Sequence, residues 1–131
     1  MTGILQFLCT LLFSSLVVAL PPGAVVDVDS NNHEVQACAS FALGSFNEFN
    51  KDPHLYVITK FFSVKMANIG GGEYNMEVEV RKTKCLKGSK ADPSSCNALI
   101  DPEAKPLRCN FVVLSTPWKD MRTLIQSSCA P

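Results

Sequence analysis

Two histidines and six cysteines are the side chains of this 131-residue chain best suited to act as bases, nucleophiles or soft metal ligands. Their spacing supports none of these roles. His33 and Cys38 lie five residues apart, which on a helix turns them away from each other, so they do not form a nucleophile and base pair. There is no zinc-type spacing, no glycine-rich phosphate cradle following a strand, and no basic patch. Acidic and basic residues number 12 each, leaving no net field to attract nucleic acid or an anionic membrane. The expectation is a protein that is not an enzyme, needs no metal or cofactor and binds no nucleic acid. No Asn is followed two residues later by Ser or Thr, so N-glycosylation is not expected. What remains is sulfur pairing and noncovalent contact.

The sulfur chemistry points to an oxidising compartment, because six cysteines are many for one domain's length of chain. Cys9 falls in residues 1–26, which carry no charged side chain. The apolar run within it, residues 4–20, reads as a signal peptide covering 1–19, with Val17 and Ala19 as the small residues before a cut ahead of Leu20. An uncleaved membrane anchor is the alternative. The mature domain, residues 20–131, is then secreted and extracellular, with no membrane contact once the signal is gone. Cys85 and Cys96 flank an irregular excursion, and Cys109 and Cys129 flank the last pair of strands. Sequential pairing would close two short loops, each contributing about 3 kcal/mol by loop entropy; other pairings remain open. Cys38 is left over, either as a small buried hydrophobe or as a reactive or chain-linking thiol.

The elements that position these residues follow from hydrophobic period. Residues 56–85 contain two strand patterns that meet at Ala67-Asn68-Ile69-Gly70-Gly71-Gly72. The second arm alternates, with Tyr74, Met76, Val78 and Val80 on one face and Glu73, Asn75, Glu77, Glu79 and Arg81 on the other. In the first arm Tyr56, Ile58, Phe62, Val64 and Met66 make one face, Lys60 interrupts it and Phe61 lies opposite, a pattern that suggests a bulge. The three glycines allow positive φ and a close backbone approach at a narrow, projecting tip.

Upstream, Leu20-Pro21-Pro22-Gly23 begins a stiff arm that continues as a short extended stretch over residues 24–28. A helix starts near Ser30 or Asn31, where Asp29 to Asn32 offer N-caps and Glu34 suits the helix dipole. Its apolar face is Val35, Cys38, Ala42, Phe46 and Phe49, and Lys51-Asp52-Pro53 stops it. Residues 86–107 lack a period and read as loop. Residues 108–115 resume as a strand with Cys109, Phe111 and Val113 on one face. A turn at Thr116-Pro117-Trp118-Lys119 leads to a last strand over 121–129. The fold class is α+β, one N-terminal helix against four or five antiparallel strands.

These residues resemble a family. The capped helix with Phe41-Ala42-Leu43-Gly44 and Phe46-Asn47, the hairpin ending Glu77-Val78-Glu79-Val80-Arg81-Lys82-Thr83-Lys84-Cys85, the four-cysteine spacing and the Pro117-Trp118 turn are similar to a secreted, type 2 cystatin over residues 23–131. The resemblance implies a five-stranded antiparallel sheet wrapped around the helix and bridges Cys85–Cys96 and Cys109–Cys129. It also implies a reversible inhibitor of papain-like cysteine proteases of the cathepsin type, blocking the cleft with a wedge of three segments. Gly23 falls on the arm glycine. Ala67-Asn68-Ile69-Gly70-Gly71 falls on the first-loop motif Q-x-V-x-G, with Ile69 in place of valine, Gly71 retained and the glutamine replaced by Ala67. Pro117 and Trp118 match the third segment. A second family site against legumain-type proteases is not carried over, because Lys51 stands at its position with Asn50 one residue away. The alternative function is a cystatin-fold binding protein that has lost inhibition. A monomer is expected, with a disulfide-linked or swapped dimer as the other forms.

Overall fold

Asn32 sets the start of the helix. Its side-chain oxygen accepts hydrogen bonds from the backbone N–H groups of Glu34 at 2.9 Å and Val35 at 3.3 Å, which satisfies two donors that the first turn leaves without partners. The helix, α1, therefore runs His33–Phe49 rather than from residue 30 or 31, and Asn50 closes it with its N–H on the Phe46 carbonyl at 2.9 Å. This computed structural model describes residues 23–90, 92, 95–100, 102 and 104–131; the expected signal segment and Cys9 lie outside the described residues.

Five strands surround the helix: β1 Val25–Asp27, β2 His54–Asn68, β3 Gly72–Leu86, β4 Leu107–Thr116 and β5 Met121–Ala130. They form one sheet in the order β1-β2-β3-β4-β5, every neighbouring pair antiparallel. The core lies between sheet and helix. Met76, Val78 and Val80 of β3 and Phe111 and Val113 of β4 are fully buried against Val35, Cys38, Ala39 and Ala42 of α1. The alternation read for β3 thus holds, as do the inward Cys109, Phe111 and Val113 of β4. Asn47 links the layers by polar contact. Its amide donates to the Tyr56 carbonyl at 3.0 Å and accepts from the Tyr56 N–H at 2.8 Å, so a buried polar side chain has both needs met.

Two expectations need correction. The β2–β3 register shifts at three places, between His54 and Tyr56, between Ile58 and Lys60 and between Phe61 and Ser63; the last two are bulges that put the extra residue on β2, where one bulge was expected. Each adds one unpaired residue and reverses the inward parity beyond it. Phe61, read as outward, consequently packs against the core opposite Val78, whereas Phe62, read as inward, is turned to the outer face. There its ring lies under the Arg108 guanidinium at 4.1 Å and near the Lys60 ammonium at 5.1 Å. The second correction is Phe49, placed on the apolar helix face by its spacing yet 78% exposed, because it is the last residue of α1. Phe46, one turn earlier, packs edge-on against Tyr56 and Phe111.

Two disulfides, Cys85–Cys96 and Cys109–Cys129, staple the excursion after β3 and the far ends of β4 and β5. The connection from α1 to β2 is held by Asp52. Its carboxylate meets Lys82 at 2.7 Å and accepts from the Tyr56 hydroxyl and the His54 backbone, at 3.0 and 2.9 Å. Burial opposes its ionisation, but Lys82, His54 and Tyr56 together hold the carboxyl well below the usual aspartate range.

Two predictions follow from this packing. Phe61→Ala should lower stability by about 2–3 kcal/mol and Phe62→Ala by less than about 1 kcal/mol, measured by denaturant unfolding; equal costs would contradict the assigned bulges. Asp52 has a folded pKa below its unfolded value, so its contribution is present at neutral pH and declines as pH falls below about 4. Asp52→Asn should melt several degrees below wild type at pH 7, and the gap should narrow on acidification. A gap independent of pH would remove Asp52 from the acid response.

Candidate functional site

Three stretches of chain meet at one end of the sheet because β1 is registered on the last residues of β2. Val25 pairs with Ala67, Val26 with Met66 and Asp27 with Lys65. Beyond that ladder the Gly23 N–H donates to the Asn68 carbonyl, and the Asn68 N–H donates to the Ala24 carbonyl at 3.3 Å. The N-terminal arm is thereby tied to the β2–β3 tip. At the tip the Ile69 N–H donates to the Gly71 carbonyl at 3.1 Å, with Gly70 at φ +81° and Gly71 at φ +153°. Few residues other than glycine adopt such angles.

Gly71 is glycine for a second reason. A Cβ there would lie 2.6 Å from the Ser115 carbonyl oxygen and 3.3 Å from the Thr116 methyl. The tip therefore rests on the end of β4, the strand that leads into the third stretch. Pro117–Lys119 form a single 3-10 turn, closed by Asp120 at φ +49° with its N–H on the Pro117 carbonyl at 3.1 Å. Across its base the Thr116 hydroxyl donates to the Met121 carbonyl at 3.3 Å.

Gly23, Asn68, Ile69, Gly70, Gly71, Pro117 and Trp118 are thus placed along one edge, and all but Gly71 are exposed. The large apolar ones project from it: Trp118 is 65% and Ile69 50% exposed. Ala67 is placed differently. It sits within the ladder, opposite Val25 on one side and Glu73 on the other, half-buried in the sheet rather than on the turn. Asn50, weighed for the second family site, is engaged in closing the helix, and its carbonyl accepts from the Lys87 ammonium.

Sequence reasoning missed two residues here. Met121 pairs with Thr116 and exposes its side chain beside the turn. Glu34, read only as a dipole partner, is the polar anchor behind it. Its Oε1 accepts from the Ser115 hydroxyl at 2.6 Å and Arg122 Nε at 3.0 Å, and its Oε2 accepts from Arg122 Nη2 at 3.1 Å. Burial pushes its pKa up, but Ser115 and Arg122 outweigh that and hold the carboxyl below its ordinary value. The available signal was Arg122 itself, a charged residue two positions from inward Leu124 in a period-2 strand. Cys38 lies beneath this carboxylate, fully buried, its thiol pushed up to about 11 by burial and by the Glu34 charge. Of its two readings this is the small buried hydrophobe, since a reactive thiol needs a lowered pKa and access.

The edge presents backbone, glycine, isoleucine and indole, with Lys119 and Asp120 exposed beside the indole, and is suited to apolar contact with a concave partner. Among the described residues no group of three or more His, Cys, Asp and Glu is placed to hold a metal ion, and no helix is long and apolar enough to cross a membrane.

Comparison with known proteins agrees with this architecture. A family model described as the cystatin domain matches residues 23–118. A cystatin from Coturnix japonica is 39% identical over 108 residues, covering 82% of this chain and 92% of the relative. Among solved structures, dimeric human cystatin F superposes with a TM-score of 0.76 at 22% identity, over 88% of this chain and 92% of that one. Mouse fetuin-B, solved in complex with crayfish astacin, superposes at 0.69 and 21% identity over 86% of this chain and 35% of its own. At those identities the two structures speak to fold alone. The domain match and the near full-length avian relative go further: the chain belongs to the cystatin family.

Proposed function

We propose that the chain is a secreted, reversible inhibitor of papain-like cysteine proteases of the cathepsin type. Residues 1–19 act as a signal peptide and residues 20–131 form the mature cystatin domain. The observation that carries this reading is the convergence of the Gly23 arm, the Ile69-Gly70-Gly71 tip and the Pro117–Trp118 turn on one edge. In the complex this edge enters the protease cleft. Trp118 serves as a broad apolar anchor and Pro117 restricts the turn that carries it. The tip fills the centre with backbone and Ile69, offering no peptide bond in a position to be cut. Membership of the cystatin family supports a protease-inhibiting role in general; the cysteine-protease target is the finer part of the proposal.

A second reading, a cystatin-fold binding protein without inhibitory activity, is favoured by Ala67, which supplies a methyl group where the family motif has an amide. One lost hydrogen bond is worth about 1 kcal/mol, too little to abolish a contact built mainly on buried apolar area.

Titration of papain with refolded residues 20–131 tests the choice. Inhibition is expected at or below about micromolar protein, and Trp118→Ala should weaken it about tenfold or more. Absence of inhibition in a chain shown to be folded by circular dichroism would overturn the proposal in favour of the scaffold reading. Because fetuin-B was solved with astacin, the same titration against astacin separates the protease classes. Gly71→Ala should also weaken papain binding, by about tenfold, since its Cβ forces the tip away from Ser115. An unchanged inhibition constant for that variant would remove the tip from the contact.

A further inference from the structure

We propose that Glu34 is a positioning residue for the Trp118 turn, acting through Ser115 and Arg122 from inside the fold. Ser115 and Arg122 are cross-strand partners, one near the end of β4 and the other near the start of β5, so they form the base of the hairpin that carries Pro117 and Trp118. A single carboxylate from the first turn of α1 grips both, with three hydrogen bonds of 2.6, 3.0 and 3.1 Å. Two of them form a paired guanidinium–carboxylate contact, which fixes direction as well as distance.

The hairpin needs such a grip because β5 has little else to hold its near end. It is one of the two edge strands of the sheet, and from Ile125 to Ala130 its residues are exposed. Only Arg122 and Leu124 are partly buried, and the disulfide to Cys109 sits at the far end. The ladder is also interrupted between Val112 and Val113, which separates the near end of the hairpin from the stapled one. Without Glu34 the near end of β5 is held only by its pairing with β4 and by Leu124 against the core. Ser115 is also the residue whose carbonyl supports Gly71, so the carboxylate sets the height of the turn relative to the tip. The effect on inhibition rests on the function proposed above; the effect on turn order does not.

Trp118 is the one tryptophan of the chain, so its fluorescence anisotropy reports turn order in the free protein, with no protease present. Glu34→Gln and Ser115→Ala should each lower that anisotropy, whereas Phe61→Ala, a core variant distant in register from the turn, should lower the melting temperature and leave it unchanged. In complex with papain, Glu34→Gln should dissociate about tenfold faster with a nearly unchanged association rate, as expected when ordering of a contact loop is lost. Unchanged anisotropy in folded Glu34→Gln or folded Ser115→Ala overturns the proposal, as does an equal loss in Phe61→Ala. If Glu34→Gln does not fold, Ser115→Ala decides alone. If wild type does not inhibit papain, the functional proposal fails while the anisotropy comparison still decides this one.

Discussion

Close approach of the helix to the sheet is the constraint from which the other features follow. The buried stripe of α1 is Val35, Cys38, Ala39 and Ala42, of which three are small, so the helix axis can lie near the strands. Larger side chains are supplied mainly by the sheet, in Met76 and Phe111, which fill the space between. A twisted sheet packed against one close helix has to curl around it. The bulges of β2 provide that curl, re-aiming the strand so that Ile58, Phe61 and Val64 all reach the core. The ends of the strands are then fixed relative to the first turn of α1, which is where Glu34 emerges.

Much of this was legible from side-chain period, and the exceptions share a cause. The β3 alternation was readable because its pairing with β4 runs without interruption and the extra residues of the two bulges fall on β2, so inward and outward positions of β3 do not exchange over that stretch. In β2 the residue types do not mark which positions are the extra ones: Phe61 and Phe62 are identical, and only the pairing of Phe61 with Val78, which leaves Phe62 unpaired, distinguishes them. Phe49 has the correct helical spacing but stands where the helix ends. The segments that meet at the candidate edge were named through the family motifs, whereas the role of Glu34 was not. Its partners lie 81 and 88 residues away, a separation at which no local pattern connects an acid to a serine and an arginine.

Charges on the outer face of the sheet are mostly paired. On the outer face Glu79 accepts from Thr59 and Arg81, and Glu77 pairs with Arg108, which in turn covers Phe62. Exposed pairs of this kind add little stability. Their effect is to leave a solvated, nearly neutral face with its one exposed aromatic ring capped by cations. At the end where the three segments meet, Ile69, Trp118 and Met121 stand exposed together.

On the proposed reading the three segments divide the work unequally. The tip contributes conformation: Gly70 and Gly71 let the backbone sit low against Ser115, and Ala67, held within the ladder, adds no reaching side chain. The arm contributes reach, being anchored through its Gly23 and Ala24 contacts with Asn68, the three pairs of β1 and the Val28 N–H on the Val64 carbonyl. The turn carries the largest rigid apolar surface, and it alone is braced from the core, by a carboxylate that is partly withdrawn from water and satisfied at both oxygens. On that reading, an anchor held in this way loses less freedom on binding than an unbraced loop would. That allocation is how, on the proposed reading, a first loop lacking its amide can coexist with binding: the contact would depend chiefly on the segment that Glu34 braces.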